Sequence, residues 1–157
     1  MYDLANDGTQ GSESGGDNEW VEIMNVTGAD VDLNGWSIGD GTSNDLLASE
    51  TFILEFGERL VITDSETTAD FWDFTDVKVI YLGSSISGGL SNTGDSVILF
   101  DDSGAAVDGA SYANSNLAFD PSVADVDPGH SIERRPINND TDTAADWVDN
   151  DSPSPGS

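Results

Sequence analysis

The sequence contains no cysteine, one lysine and one histidine. Without cysteine there is no disulfide, no thiolate nucleophile and no zinc–cysteine site. No apolar run approaches the roughly 20 residues that a membrane-spanning helix needs. The first residues also lack the basic and apolar segments of a secretory signal. These absences exclude a disulfide-stabilised scaffold, a cysteine-dependent site and a helical membrane protein. The fold must therefore depend on its own apolar core.

Positive charge is scarce, since 4 Lys and Arg face 31 Asp and Glu, for a net charge of −27. Only Arg134 and Arg135 are adjacent, so the clustered cations that neutralise phosphates are missing and nucleic acid is not an expected partner. The acids are scattered through nearly every loop. This favours adaptation to concentrated salt, where the Debye length falls to about 3 Å. An acidic surface that recruits cations or a basic partner stays open as the alternative.

The length of 157 residues predicts one domain with a core supplied by four Trp, six Phe and three Tyr. Residues 1–17 are rich in Gly, Ser, Asp and Asn, and they predict a flexible acidic linker. Residues 149–157 contain two prolines and predict a second linker. The structured domain is therefore predicted to cover residues 18–148, as one module of a larger protein.

Short runs of β-branched and aromatic residues, separated by turn signals, predict an all-β fold. The segment 96–112 is typical of a β-hairpin. Only residues 66–74 favour a short helix. The number and spacing of the strands indicate a sandwich or a barrel. The predicted strands are Glu19–Asn25, Trp36–Gly39, Thr51–Leu54, Arg59–Thr63, Lys78–Leu82, Ser96–Phe100, Ala106–Tyr112 and Ser131–Arg134.

Four separated motifs carry a resemblance to a known family. They are Glu19–Asn25, Val31–Trp36, Leu90–Val97 and Ser131–Arg134, the last followed by an acidic turn, Asp146-Trp147 and Pro155-Gly156. In this order they resemble the lamin tail domain of prokaryotic secreted and surface proteins, here in a form typical of a salt-adapted organism. The resemblance implies an immunoglobulin-like β-sandwich that binds or tethers and has no catalytic residues. The stretch 114–127 departs from it, being longer than the usual loop.

Several residues have expected structural roles. Gly35 permits a tight entry for Trp36, which we expect to pack between two sheets. Asn25 is expected to hydrogen-bond the backbone of the following turn. Glu22 and Arg134 are predicted to form a cross-sheet ion pair, or else to be two solvated surface charges. The complete structural set is Trp20, Glu22, Asn25, Gly35, Trp36, Gly94, Arg134 and Trp147.

One acidic loop is a candidate calcium site. Asp140, Asp142 and Asp146 supply oxygen ligands at alternating positions, which suits a hard cation. The loop lacks the glycine and the bidentate glutamate of an EF-hand, and the alternative is that these side chains form turn hydrogen bonds. A weaker cluster consists of Asp120, Asp125 and Asp127. No other cofactor is expected.

The sequence favours a protein that is not an enzyme. His130 has no nucleophile motif around it and is interpreted as a turn residue ahead of a strand. Carboxylate pairs such as Asp101-Asp102, and Glu50 with Glu55, are expected by coincidence among 31 acids. Glycosylation sequons begin at Asn25, Asn139 and Asn150.

The predicted function is a non-catalytic binding or tethering module of an exported or cell-surface protein, with a protein or cell-envelope component as partner. One alternative is an accessory domain that captures substrate for a secreted nuclease or phosphatase. Another is an extracellular structural subunit that assembles by pairing an exposed edge strand. The oligomeric state is left open.

Overall fold

The computed structural model describes residues 1–12 and 17–157. Its 3₁₀ helices are Glu66–Asp70, Ile86–Gly88 and Ala144–Asp146. Within the described residues there is no α-helix, and no helix is long and apolar enough to cross a membrane. The strands are β1 (Trp20–Met24), β2 (Val31–Asp32), β3 (Ser37–Gly39), β4 (Asn44–Leu46), β5 (Ile53–Leu54), β6 (Arg59–Thr63), β7 (Lys78–Tyr81), β8 (Gly94–Phe100), β9 (Ala106–Ala113), β10 (Ser131–Arg134) and β11 (Trp147–Asn150).

The strands form two larger sheets and two short pairs. The antiparallel four-stranded sheet has the order β4-β3-β8-β9, and β8 with β9 is the predicted hairpin. The three-stranded sheet has the order β1-β6-β7, in which β6 and β7 run parallel. The pairs are β2 with β5 and β10 with β11. The predicted all-β, immunoglobulin-like sandwich is confirmed.

Strand β6 explains why the core has two parts. Its side chains alternate between the two faces of the sheet, as in any strand. Leu60 and Ile62 belong to the main core between the sheets, whereas Val61 belongs to a second cluster with Trp20. The three β6 side chains are all fully buried. The β1-β6-β7 sheet is therefore covered by apolar side chains on both faces.

The N-terminal residues supply part of that cover. Tyr2 is only 2% exposed, stacks on Tyr112 with ring centroids 3.8 Å apart, and donates its hydroxyl to Asp125 at 3.0 Å. Met1 and Leu4 are buried in the second cluster. The prediction that residues 1–17 form a flexible linker is thus wrong for residues 1–4. The average composition of that segment is polar and does not reveal its three apolar side chains. Residues 13–16 lie outside the described part.

Other boundaries also differ from the prediction. The second linker was predicted from residue 149, but Asp149 lies in β11, and the N–H of Gly156 donates to the carboxylate of Glu22. The helix predicted over 66–74 is a shorter 3₁₀ turn. Strands β4 and β11 were not predicted, because charged and amide side chains dominate them. Their pairing comes from neighbouring strands and not from local propensity.

The stacking of Tyr2 gives a direct test of the N-terminal segment. We expect Tyr2→Ala to lower the free energy of unfolding by about 3 kcal/mol through lost burial, and Tyr2→Phe by about 1 kcal/mol through the lost hydrogen bond. Asn6→Ala changes an exposed residue of the same segment and should have an effect below about 0.5 kcal/mol. Denaturant unfolding of the three variants measures these differences. Equal stabilities for Tyr2→Ala and Asn6→Ala would show that the segment does not pack.

Candidate functional site

A groove with a volume of about 630 Å³ is bounded by β1 on one side and β10 on the other. Half-buried apolar side chains from both sheets and from the β10–β11 pair form its floor. They contact the main core but remain partly accessible. A volume of this size is within the range of pockets that bind ligands, about 300–1,000 Å³. The floor residues are Val21, Ile23, Trp36, Val97, Leu99, Ile132 and Trp147.

Arg134 lies at the edge of this groove and is the most buried cation, with its side chain 13% exposed. Its guanidinium donates to both carboxylate oxygens of Asp108, at 2.8 and 2.6 Å, and lies 3.5 Å from Asp140. It also stacks over Trp147, 4.8 Å from the ring centroid. Burial opposes the charged form, but the hydrogen bonds and charge of Asp108, with Asp140 and Asp146, raise the pKa of Arg134.

The predicted ion pair between Glu22 and Arg134 is wrong. Glu22 instead accepts from Arg59 at 2.6 Å, across the β1–β6 pairing. Arg134 pairs with Asp108 of β9. The sequence predicts that both charged residues lie on strands of the sandwich, but it does not show which strands are neighbours. Register decides that, because Glu22 lies opposite Val61 and diagonally from Arg59.

Trp20 and Asn25 lie at the two ends of the β1 segment. Trp20 is buried and packs edge-on against Trp72, with ring centroids 5.8 Å apart. The Asn25 side chain accepts from the N–H of Thr27 at 3.0 Å and donates to the carbonyls of Ala29 and Leu54, both at 2.8 Å. It thus makes the expected turn hydrogen bond. Because its amide nitrogen is buried in these bonds, the sequon at Asn25 is not presented to solvent.

Two glycines permit close backbone approaches near the groove. Gly35 has φ of +79°, as a tight entry to Trp36 requires. Gly94 has φ of +130°, and a Cβ there would lie 2.3 Å from the backbone nitrogen of Asn114. A side chain at Gly94 would therefore push the β8–β9 hairpin away from the following loop.

The structure does not bring the calcium candidates together. Asp146 accepts from the N–H of Thr141 at 2.7 Å and from Asn139 at 2.8 Å, and with Thr143 it forms a capping box on a 3₁₀ turn. The Thr141 N–H is the largest of the effects that lower the pKa of Asp146. Asp140 faces Arg134. In the part of the chain that the structure describes, no three His, Asp or Glu side chains form a cluster able to hold a metal ion.

The remaining polar candidates also have structural contacts. His130 directly precedes β10, and its Nδ1 lies 2.7 Å from Asp149. In the weaker acidic cluster, Asp125 accepts from Tyr2. In the Asp101-Asp102 pair, Asp101 accepts from the hydroxyl of Ser103 at 2.7 Å in the β8–β9 turn.

Sequence reasoning missed the groove itself. Its floor residues belong to strands that are far apart in sequence, and no local pattern distinguishes a half-closed interior from a closed one. One signal was present, however. All four basic residues lie in or next to strands, and three of them, Arg59, Arg134 and Arg135, line the groove.

Adjacent arginines provide a matched test of the Arg134 contacts. We expect Arg134→Ala to lower the free energy of unfolding by about 2 kcal/mol, because it leaves Asp108 without its bidentate partner and uncovers Trp147. Arg135→Ala removes a more exposed pair with Glu133 and should change it by less than about 0.5 kcal/mol. Urea unfolding in molar salt measures both. A smaller loss for Arg134→Ala than for Arg135→Ala would contradict the assigned contacts.

The comparisons with known proteins agree with the fold. A family model described as Lamin Tail Domain matches residues 4–114, from the buried N-terminal segment to the end of β9. The match includes most of the segment whose composition predicted a linker, and it leaves β10 and β11 outside. None of the curated proteins compared matches the chain. Since the match covers more than half of the 157 residues, the chain belongs to the Lamin Tail Domain family.

Proposed function

We propose that the chain is a non-catalytic binding or tethering module of an exported or cell-surface protein that works in concentrated salt. Its contact site is the groove between β1 and β10, and its partner is a protein or cell-envelope component. The observation that carries this proposal is the contrast between a strongly anionic exterior and one apolar groove lined by three of the four cations. Family membership supports a binding role, because this is an immunoglobulin-like family not known as catalytic.

The carboxylates of the exterior serve as turn acceptors. The same bond recurs, in which an Asp oxygen accepts the N–H of the residue two positions later. Hydrogen bonds from the following Thr or Ser hydroxyl and N–H lower the pKa of Asp7, Asp73 and Asp101. These carboxylates therefore stay ionised at pH values below the range in which an aspartate usually titrates. The turns are Asp7–Thr9, Asp32–Asn34, Asp40–Thr42, Asp73–Thr75, Asp101–Ser103 and Asp140–Asp142.

Each of the four Lys and Arg side chains, all of which lie in the described part of the chain, forms an ion pair with a carboxylate. The ion pairs are Arg59–Glu22, Lys78–Glu58, Arg134–Asp108 and Arg135–Glu133, all with N–O distances of 2.6–2.7 Å. Within the described residues, no Lys or Arg side chain is therefore left unpaired to neutralise the phosphates of a nucleic acid. This supports a partner that is not a nucleic acid.

Salt dependence tests the proposed environment. Between about 0.1 M and about 1 M KCl the Debye length falls from about 10 to about 3 Å, so repulsion among the exposed carboxylates should fade. We expect the melting temperature to rise by about 4–8 °C, or roughly 2 kcal/mol for a domain of this size. Differential scanning calorimetry at a series of KCl concentrations measures the shift.

A charge-reduced variant separates repulsion from general salt effects. The substitutions Glu50→Gln, Asp76→Asn, Asp102→Asn and Asp127→Asn remove four exposed charges and change the net charge from −27 to −23. We expect this variant to melt higher than the wild type at low salt and to show a smaller rise with KCl. A melting temperature that does not depend on KCl in the wild type would contradict adaptation to salt.

An uncharged apolar dye tests the groove as the contact site. We expect Nile red to gain fluorescence with the wild-type protein in molar salt, and to lose most of that gain with I23T/L99T, which makes the floor polar. The matched control I53T/V148T changes two apolar residues that are exposed and outside the groove. Near-ultraviolet circular dichroism verifies that both variants are folded. Equal dye fluorescence for the two variants would place the accessible apolar surface elsewhere.

A further inference from the structure

A second recess lies beside the β1-β6-β7 sheet, and none of the described residues lines both it and the groove. It is formed by the segment that connects β6 to β7 and by the last residue of β7. In the part of the chain that the structure describes, no Lys, Arg or His lines it. The residues that characterise the lining are Asp70, Phe71, Trp72, Asp73, Phe74 and Tyr81. The recess is therefore both aromatic and anionic.

Trp72 is the fixed part of this recess. It follows the 3₁₀ turn Glu66–Asp70, and the N–H groups of Phe71 and Trp72 donate to the Thr68 carbonyl at 3.1 and 3.3 Å. The indole packs edge-on against the buried Trp20, with ring centroids 5.8 Å apart. An aromatic surface held by the core in this way loses little conformational freedom when a ligand binds.

Two further rings remain accessible beside Trp72. The parallel pairing of β6 with β7 places Val79 opposite Val61, which belongs to the cluster against which Trp72 packs. Because side chains two positions apart lie on the same face of a strand, Tyr81 lies on the Trp72 face of the sheet. Tyr81 and Phe71 are each 39% exposed. A ligand can therefore contact these rings without displacing the core.

Two exposed carboxylates, those of Asp70 and Asp73, give the recess its negative charge. One oxygen of Asp73 accepts from the Thr75 hydroxyl at 2.6 Å and from the Thr75 N–H at 3.0 Å. These two bonds keep the pKa of Asp73 below its usual value. Asp73 therefore offers a ligand its charge, while one of its two oxygens is already engaged in its own turn.

This combination of groups suits a quaternary ammonium ion. The face of an aromatic ring attracts a cation, but a primary ammonium is strongly hydrated and would leave water-bonded donors against the rings. A quaternary ammonium has no N–H donor, and its methyl groups bury apolar surface of the rings. In molar salt the attraction of distant carboxylates is screened. Contact with the rings, rather than net charge, then decides which cation is bound.

We infer that this recess binds a small organic cation of the quaternary ammonium class. Its methyl groups lie against the rings of Phe71, Trp72 and Tyr81, and the carboxylates of Asp70 and Asp73 compensate its charge. The ligand is a free small molecule and not a lipid headgroup, because the phosphate of a headgroup would lie beside these same carboxylates. The site is independent of the groove and of the binding role proposed for it.

Choline is the probe, and two matched ligands isolate the contributions of charge and shape. In the neutral carbon analogue of choline, a tert-butyl group replaces the trimethylammonium group and removes the charge. Protonated ethanolamine keeps the charge and removes the methyl groups. Saturation-transfer difference NMR in about 1 M KCl, where long-range attraction is screened, measures the binding of each ligand to the wild-type protein.

We expect choline to bind with a dissociation constant on the order of a few millimolar, because exposed cation–π contacts are individually weak. Both matched ligands should bind at least about fivefold more weakly. The variant F71L/Y81L replaces two rings by aliphatic side chains and should weaken choline binding about fivefold or more. Phe56→Leu changes a ring that is 60% exposed and lines neither site, and should have no effect.

The groove variant I23T/L99T should also bind choline like the wild type, which separates this inference from the role of the groove. Near-ultraviolet circular dichroism verifies the fold of each variant, and the comparison of ligands needs only the wild-type protein.

Four outcomes would overturn the inference. Absence of choline binding would remove the site. Equal binding of the neutral analogue would show apolar adsorption, and equal binding of ethanolamine would show attraction to carboxylates alone. Cosedimentation with phosphatidylcholine vesicles, lost in F71L/Y81L, would replace the free ammonium ion by a lipid headgroup.

Discussion

The fold depends on how four cationic side chains are distributed among 31 carboxylates. A carboxylate that is partly withdrawn from water is costly unless a cation or several donors face it. Arg134 meets that need for Asp108 and Asp140, and it connects β10 to β9 while covering Trp147. Arg59 does the same for a carboxylate of β1. These two cations therefore lie where strands meet, and the exterior is left almost wholly anionic.

The remaining carboxylates are stabilised without cations. An Asp that accepts the N–H of the residue two positions later satisfies a backbone donor of the turn and spreads its own charge. Asp40 and Asp101 each accept three hydrogen bonds of this local kind or more. Such bonds are independent of long-range charge and survive when salt screens the repulsion between turns. A chain with this composition can thus fold without disulfides and with a single lysine.

The groove follows from the same distribution. It is bounded by β1 and β10, and its floor is the part of the core that the two sheets and the β10–β11 pair do not close. Four side-chain carboxylates and three guanidinium groups line it, so its charge is nearly balanced while the rest of the surface is strongly anionic.

The sequence by itself determined the elements that have a local signal. Short runs of β-branched and aromatic residues between turn signals specified β6, β8 and β9, and the Asn25 side chain adopted the turn role that its position after a strand predicts. The family could also be identified from motifs whose order along the chain is visible in the sequence alone. Composition alone was misleading at the N-terminus, because Tyr2 and its two apolar neighbours are few but fully buried.

Only the tertiary structure decided which distant residues meet. Glu22 pairs with Arg59 and not with Arg134 because β1 is the neighbour of β6 in a register that brings these two side chains together. Neither strand order nor register can be read from the local sequence. The same holds for β4 and β11, whose polar residues become strands by pairing with neighbours already in place. The groove exists only as the space between the two larger sheets and the β10–β11 pair. Local propensity is a property of short segments, whereas pairing, charge partners and cavities arise from the packing of the whole chain.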